Sequence, residues 1–269
     1  MTITLTGLHI YPVKALGGIS LDRAETTSRG LKHDRRFMVV DGDGQFVTQR
    51  EMPKMATVWV ALDKGRIEFS APDCDPVEFD AEPRPSPTRD VRVWRSTVAA
   101  HTVSPEADRW LSDYLGFNAH LMYMPDSSRR ECNTEFAKHG EIVSFADGYP
   151  FLVTSEASLD DLNTRIAAGG GAPVPMNRFR PNLVVKGASP FAEDGWREVR
   201  IGAAIFRAVK PCGRCQVTTT DQVTGEIRGP EPLATLASFR SSDLGILFGM
   251  NLTLAKPGPI RVGDQVFVD

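Results

Sequence analysis

MNRFRPNLVVKGASPFAEDGWREVRIGAAIFRAVKPCGRC, from Met176 to Cys215, is the stretch on which the reading of this chain turns. It begins with an arginine pair leading into a β-branched run and ends on two cysteines separated by Gly213 and Arg214. NLVVKG, REVRIGAAIFRAV and the following CQVTTTD have the β-branched content of strands. If NRFRPN is extended, Arg178 and Arg180 share one face and Phe179 takes the other. Two guanidinium groups presented together suit a phosphate or another multi-oxygen anion. Asn177 and Asn182 flank them, and a carboxamide that both donates and accepts suits the edge of a pterin-like or purine-like ring.

The cysteines allow more than one chemistry. A structural zinc site needs four ligands, yet Cys74 and Cys132 are isolated and the five histidines show no paired spacing. A thioredoxin-like pair belongs at a helix N-terminus, whereas Cys215 leads into β-rich QVTTTD. Two readings stay open: a reactive or metal-binding thiol whose thiolate Lys210 and Arg214 would favour, and an inert buried pair. Further cations stand at Lys14, Lys32, Arg35, Arg36 and Arg50. The net charge is only −3, so a basic site has to be local, and nucleic acid is not an expected partner.

Outward from this stretch the chain is strand-rich at both ends. ITLTGLHIYPV alternates, Asp41-Gly42-Asp43-Gly44 separates two strand-like runs, and Lys64-Gly65 separates two more, as in hairpins. Residues 71–87, rich in proline and acid, predict a loop or an irregular edge excursion. Ser104-Pro105-Glu106 predicts a capped helix start and Gly116 its end. Ser155 precedes a second helix that stops at Gly169-Gly170-Gly171, and ATLASFRS predicts a third. Between Tyr123 and Phe151 lies a polar stretch too long for a plain connector, a length often associated with function; His139 and Asp147 within it read as surface residues. Strands and helices do not alternate regularly, and no glycine-rich phosphate loop joins a strand to a helix, so a doubly wound sheet is excluded.

At 41% hydrophobic and 24% charged residues the composition is that of a globular protein. The first residues do not read as a signal peptide, and no run approaches the roughly 18–20 apolar residues of a membrane span. The expectation is a soluble, cytoplasmic protein.

YPVKALGGISLDRAE, GLKHDRRFMVVD and FVTQREMPKM together resemble the N-terminal β-barrel domain that precedes MOSC domains. FLVTSEASLDDLN, NRFRPNLVV, FAEDGW, PCGRCQVTTTDQVTG and EPLATLASFR resemble the MOSC domain itself, shared by molybdenum cofactor sulfurases and the amidoxime-reducing component. The resemblance implies a mainly β fold with inserted helices (α+β), an N-terminal β-barrel domain packed against a MOSC β-barrel domain. The expected division is 1–95 and 96–269, with helical insertions at about 104–116 and 155–168. It also implies a molybdenum cofactor (Mo-molybdopterin) held between the two domains. Carried over by motif, Cys215 would be the metal ligand and the catalytic residue, with Cys212 not a ligand. Cofactor contacts would fall on Lys14, Arg36, Arg180 and Asn182, with Arg178 and Asn177 beside them. Ala15 stands where relatives often have Ser, which removes one polar contact. The implied activity is reduction of N-hydroxylated compounds such as amidoximes. Electrons would come from a separate ferredoxin or flavin reductase, because no fused iron-sulfur domain follows. The alternative is a carrier of the cofactor or of sulfur, without turnover.

Overall fold

The computed structural model describes residues 2–269. Seven strands close into a barrel: Phe151–Ser155, Leu183–Lys186, Ile3–Ile10, Gln265–Val268, Glu198–Ile201, Ala204–Arg214 and Gly245–Lys256, the last pairing back onto the first. All neighbouring pairs are antiparallel except Phe151–Ser155 with Leu183–Lys186, a parallel pair whose connection carries the helix Glu156–Ala168. A parallel pair requires such a crossover, because a tight turn can join only antiparallel strands. Leu5, Leu8, Val153, Leu183, Val199, Phe206, Leu252 and Val266 fill the barrel. Ile3 pairs with Val266, so a strand from the start of the chain completes a barrel otherwise drawn from residues after 150.

A second core lies beside it. The sheet of Phe37–Val40, His120–Tyr123, Ser96–Thr102 and Thr88–Val93 and the sheet of Trp59–Asp63, Arg66–Ala71 and Cys74–Asp80 make up most of this half. Val13, Leu16, Phe37, Phe69 and Leu121 pack there with Leu111 of the helix Pro105–Leu115. That helix starts as its sequence dictates. Ser104 Oγ accepts from Ala107 N at 3.2 Å, Pro105 needs no hydrogen bond, and Gly116 turns left-handed at φ 80°. A mainly β protein with three helices in a two-part arrangement is what the motifs implied.

Three local expectations are corrected. Residues 71–87 are not all loop: Cys74–Asp80 is a strand, and its Pro76 is tolerated because this strand lies at the edge of its sheet. NRFRPN is not extended, since Met176–Phe179 forms a turn of 3₁₀ helix and Arg180 is left-handed at φ 52°. QVTT is likewise 3₁₀ rather than strand. The Thr218 and Thr219 hydroxyls donate to Cys215 O at 2.9 Å and Gln216 O at 2.7 Å, and such local bonds outcompete strand propensity.

Candidate active site

Between the two cores lies a cavity of about 400 Å³ walled by both halves of the chain. Lys14, Arg35 and Arg50 come from the first half, and Arg178, Arg180, Lys210 and Arg214 from the second. Asp147 is the one carboxylate in the wall. A protein of net charge −3 thus gathers seven cations against one anion, and low-dielectric walls focus their field on an anionic ligand.

Both cysteines of the CGRC motif open onto this cavity. Gly213 between them is required by a close approach, because a Cβ there would stand 2.8 Å from Leu244 O. Arg214 turns back to donate from one guanidinium nitrogen to Cys212 Sγ at 2.8 Å and from the other to Phe179 O. Arg50 lines the same wall as Cys215. Burial lowers the Arg50 pKa, and the interaction with Cys215 outweighs this, leaving it raised.

The floor is an arginine–tyrosine–arginine assembly. The guanidinium carbons of Arg35 and Arg180 each stand 4.2 Å from the ring centroid of Tyr11, which is 4% exposed. Buried Asp34 receives Arg35 at 2.8 and 2.7 Å and the Tyr11 backbone N–H at 2.8 Å. Burial drives the Arg180 pKa down to about 10, and Tyr11 partly restores it. Arg180 donates to Gln222 Oε1 at 3.0 Å and Leu16 O at 2.7 Å, and Gln222 exchanges hydrogen bonds of 2.9 and 3.1 Å with Gln49. These contacts tie the two halves together around one cation.

Lys14 is buried, which lowers its pKa, and it donates to Asp147, which partly restores it. For Asp147, packing of the surrounding chain opposes ionisation. The Lys14 ammonium and the Trp94 indole N–H, at 3.1 Å, outweigh that and hold the carboxyl well below the usual range. The Asp147 side chain is nevertheless 71% accessible through the cavity. Solvent therefore screens the pair, which orients Lys14 more than it stabilises the fold. Asp147 belongs to the polar stretch after Tyr123, which has its own small core of Cys132, Ala137, Val143 and Tyr149. Arg130 donates to the carbonyls of Ser144 at 2.9 Å and Asp147 at 2.7 Å, and Glu141 pairs with Arg207 of the barrel.

Of the residues expected from the sequence, Lys14, Arg178, Arg180, Asn182 and Cys215 meet in this cavity. Arg178 is held by Thr219 O at 2.7 Å and Asp221 at 3.0 Å. Asn182 spends its carboxamide on the backbone, accepting from Leu152 N at 3.2 Å and donating to His9 O at 3.1 Å, so it positions strands. The structure does not bring Arg36 or Asn177 here. Asn177 is exposed, and Arg36 lines a different cavity and pairs with Asp126 at 2.8 Å. Arg35, its neighbour, occupies the wall instead. Tyr11, Gln49, Trp94, Asp147 and Gln222 were not anticipated. A bulky residue at the hairpin turn of VRVWRSTV was the one available signal, since such turns favour Gly, Asn and Asp.

The wall fits an anionic, metal-carrying group. Arg178 and Arg214 each keep a buried Nε–H with no acceptor, and such donors are costly to leave unpaired. Among the described residues no group of three or more His, Cys, Asp or Glu could hold a metal ion. A metal at Cys215 would therefore bring most of its own ligands.

Fold and cavity together define a β-barrel protein with a thiol set in a cation-lined cleft. The chain matches the MOSC N-terminal beta barrel domain over residues 2–118 and the MOSC domain over residues 140–267, and it belongs to the MOSC family. It is 34% identical over 283 residues to the mitochondrial amidoxime reducing component 2 of Rattus norvegicus, covering 98% of this chain and 82% of that protein. With the mitochondrial amidoxime-reducing component 1 of Mus musculus it shares 33% identity over 283 residues, with the same coverage of 98% and 82%. With the molybdenum cofactor sulfurase of Solanum lycopersicum it shares 30% identity over 287 residues, 97% of this chain and 35% of that protein. No helix among the described residues is long and apolar enough to cross a membrane.

Proposed function

We propose that the chain holds a molybdenum–pterin cofactor in this cavity and reduces N-hydroxylated compounds there, with Cys215 as the protein ligand of the metal. The observation that carries this reading is the meeting of Cys215 with a cation-rich wall drawn from both halves of the chain. Kinship with proteins named for amidoxime reduction supports the choice of substrate. When bound, the group supplies a two-electron redox centre and a Lewis acid for the substrate oxygen. The chain supplies the rest. Arg35 and Arg180, fixed by Tyr11 and Asp34, present guanidinium groups to the anionic end of the ligand. The free Nε–H groups of Arg178 and Arg214 are further donors. Lys14, itself buried, donates from Nζ to Asp147 and balances ligand charge. Phe179, Leu152 and Val217 give the wall its apolar part. Electrons come from a separate donor protein of the ferredoxin or flavin reductase kind, and the setting is the cytoplasm.

The test is elemental analysis and pterin fluorescence on purified native protein, with benzamidoxime reduction driven by a chemically reduced dye. Molybdenum, pterin and turnover in the native chain, all lost in Cys215→Ala and retained in Cys212→Ala, is the expected pattern. A fully active Cys215→Ala protein would sink the reading. Kinship with the tomato sulfurase favours a second reading, a cofactor or sulfur carrier. That reading predicts a cysteine persulfide or cofactor transfer to an apo-enzyme, with no reduction under any donor.

A further inference from the structure

Among the described residues, eight other than glycine hold a positive φ, and four of these, Ala15, Arg35, Trp94 and Arg180, line the cavity. Backbone strain concentrated at one site marks a place where side-chain position has been preferred over local comfort. Arg35 and Arg180 are accounted for by the tyrosine assembly. Trp94 is not. It occupies the first position of the two-residue turn between Thr88–Val93 and Ser96–Thr102, at φ 54°, where a large side chain is disfavoured and glycine or asparagine would serve the turn better. The hairpin itself has no use for an indole.

What the indole does is visible in its contacts. Its Nε1–H donates to Asp147 at 3.1 Å, and Phe46 packs against it at 4.8 Å with the planes 61° apart. The Arg50 guanidinium, which lines the same cavity as Cys215, stands 4.6 Å from the ring centroid. So held, Trp94 is still 39% exposed, and it lines the cavity that contains the thiol. A fixed aromatic surface beside the reactive end of a cavity is a platform for a flat partner, and a neighbouring guanidinium favours conjugated π-systems over saturated ones.

We propose that Trp94 is the specificity-determining wall of this site, selecting planar, conjugated N-hydroxylated substrates such as aryl amidoximes over aliphatic ones of the same reactive group. The inference rests on the reductase reading above for the reactive group, and on the geometry of Trp94 for the preference. Benzamidoxime and acetamidoxime share the reactive group and differ in ring against methyl, and the Trp94 variants separate the share of that difference that the indole supplies from the share due to size alone. Trp94→Gly removes the indole and suits the positive φ, so the hairpin folds; Trp94→Phe keeps a ring. Calorimetric titration of both compounds into the purified protein should show a native preference for the ring compound. That preference should fall about tenfold in Trp94→Gly and stay within about threefold of native in Trp94→Phe. The ratio of kcat/KM values for the two compounds should follow the same order. Equal losses for both compounds overturn the proposal, as does loss of molybdenum and pterin in Trp94→Gly, which would show the ring packing on the cofactor instead. A native protein that binds with the ring preference and turns neither compound over rejects the reductase reading and leaves this one standing. One that binds without preference overturns this one, whatever its activity.

Discussion

Tyr11 offers the sharpest test of how the cavity floor is held. Its ring lies 4.2 Å from two guanidinium carbons, and its hydroxyl donates to Pro181 O at 3.3 Å. Tyr11→Phe removes only that long hydrogen bond, worth about 0.5–1 kcal/mol. Tyr11→Leu removes the π-system as well. Two largely desolvated cation–π contacts at about 1 kcal/mol each contribute about 2 kcal/mol. Truncating a buried ring to an aliphatic group adds about 1–2 kcal/mol of lost packing. The leucine variant should thus lose about 4 kcal/mol, several times the loss of the phenylalanine variant. With a urea slope of about 3 kcal/mol per molar, that is a midpoint shift of about 1 M against about 0.3 M. The assay is urea unfolding followed by near-UV circular dichroism with slopes compared across variants. Equal shifts for the two variants would refute the view that the ring's π-face, rather than its hydroxyl, organises Arg35 and Arg180.

Other expectations follow from the same geometry. Cys132 is 3% exposed and burial pushes its pKa up to about 12, so brief alkylation of native protein at pH 8 followed by peptide mass spectrometry should leave it unlabelled while Cys74 and Cys212 react. Early labelling of Cys132 would contradict its burial. The folded-state pKa of Asp147 is depressed, so its stabilising contribution is complete above its unfolded value of about 3.9 and is lost as pH falls below that. Asp147→Asn should therefore flatten the decline of the urea midpoint between about pH 4 and pH 2, and an unchanged slope counts against the pairing with Lys14. Gly213→Ala sets a Cβ 2.8 Å from Leu244 O, and the displaced strand should cost about 1–3 kcal/mol in thermal unfolding and lower molybdenum content. A native-like Gly213→Ala protein would show that the approach can relax. Arg207→Ala removes the barrel's partner for Glu141, so limited proteolysis should cut residues 124–150 faster than in native protein.

The parts of this molecule that were legible in its sequence are those where local chemistry and final structure agree. Ser104, Pro105 and Gly116 delimit a helix because each satisfies a requirement of a helix end. The CGRC motif and the arginines after Met176 marked the second half of the wall for the same reason, since residue type and spacing carry the chemistry. Arg36 was carried over from a motif in which two arginines stand side by side, and resemblance alone does not say which of the two faces the cavity; the left-handed backbone of Arg35, at φ 47°, turns it there. Arg178 and Arg180 reach one cavity although the chain between them is a 3₁₀ turn and not a strand, so the right pair followed from the wrong backbone. Asp147 sits in a segment with no period to read, and its partner Lys14 is far away in sequence; only the length of that segment hinted at a role. Strand propensity failed at QVTT because threonine hydroxyls can close a turn as readily as threonine side chains can pack on a sheet.

The pairing of Ile3 with Val266 has a consequence for how the protein is made. The strand Ile3–Ile10 has a near partner only in Ile19–Ser20, and its barrel neighbours Leu183–Lys186 and Gln265–Val268 lie far along the chain. Its apolar residues Leu5 and Leu8 belong to a core whose other members come mostly from residues after 150. The sheets of residues 37–123 contact mostly one another, whereas closing the barrel joins strands far apart in sequence, and such non-local pairing is the slower event in folding. The cavity takes its walls from both. A ligand therefore meets a complete site only after both parts have folded, and the barrel, as the slower of the two, sets when that happens.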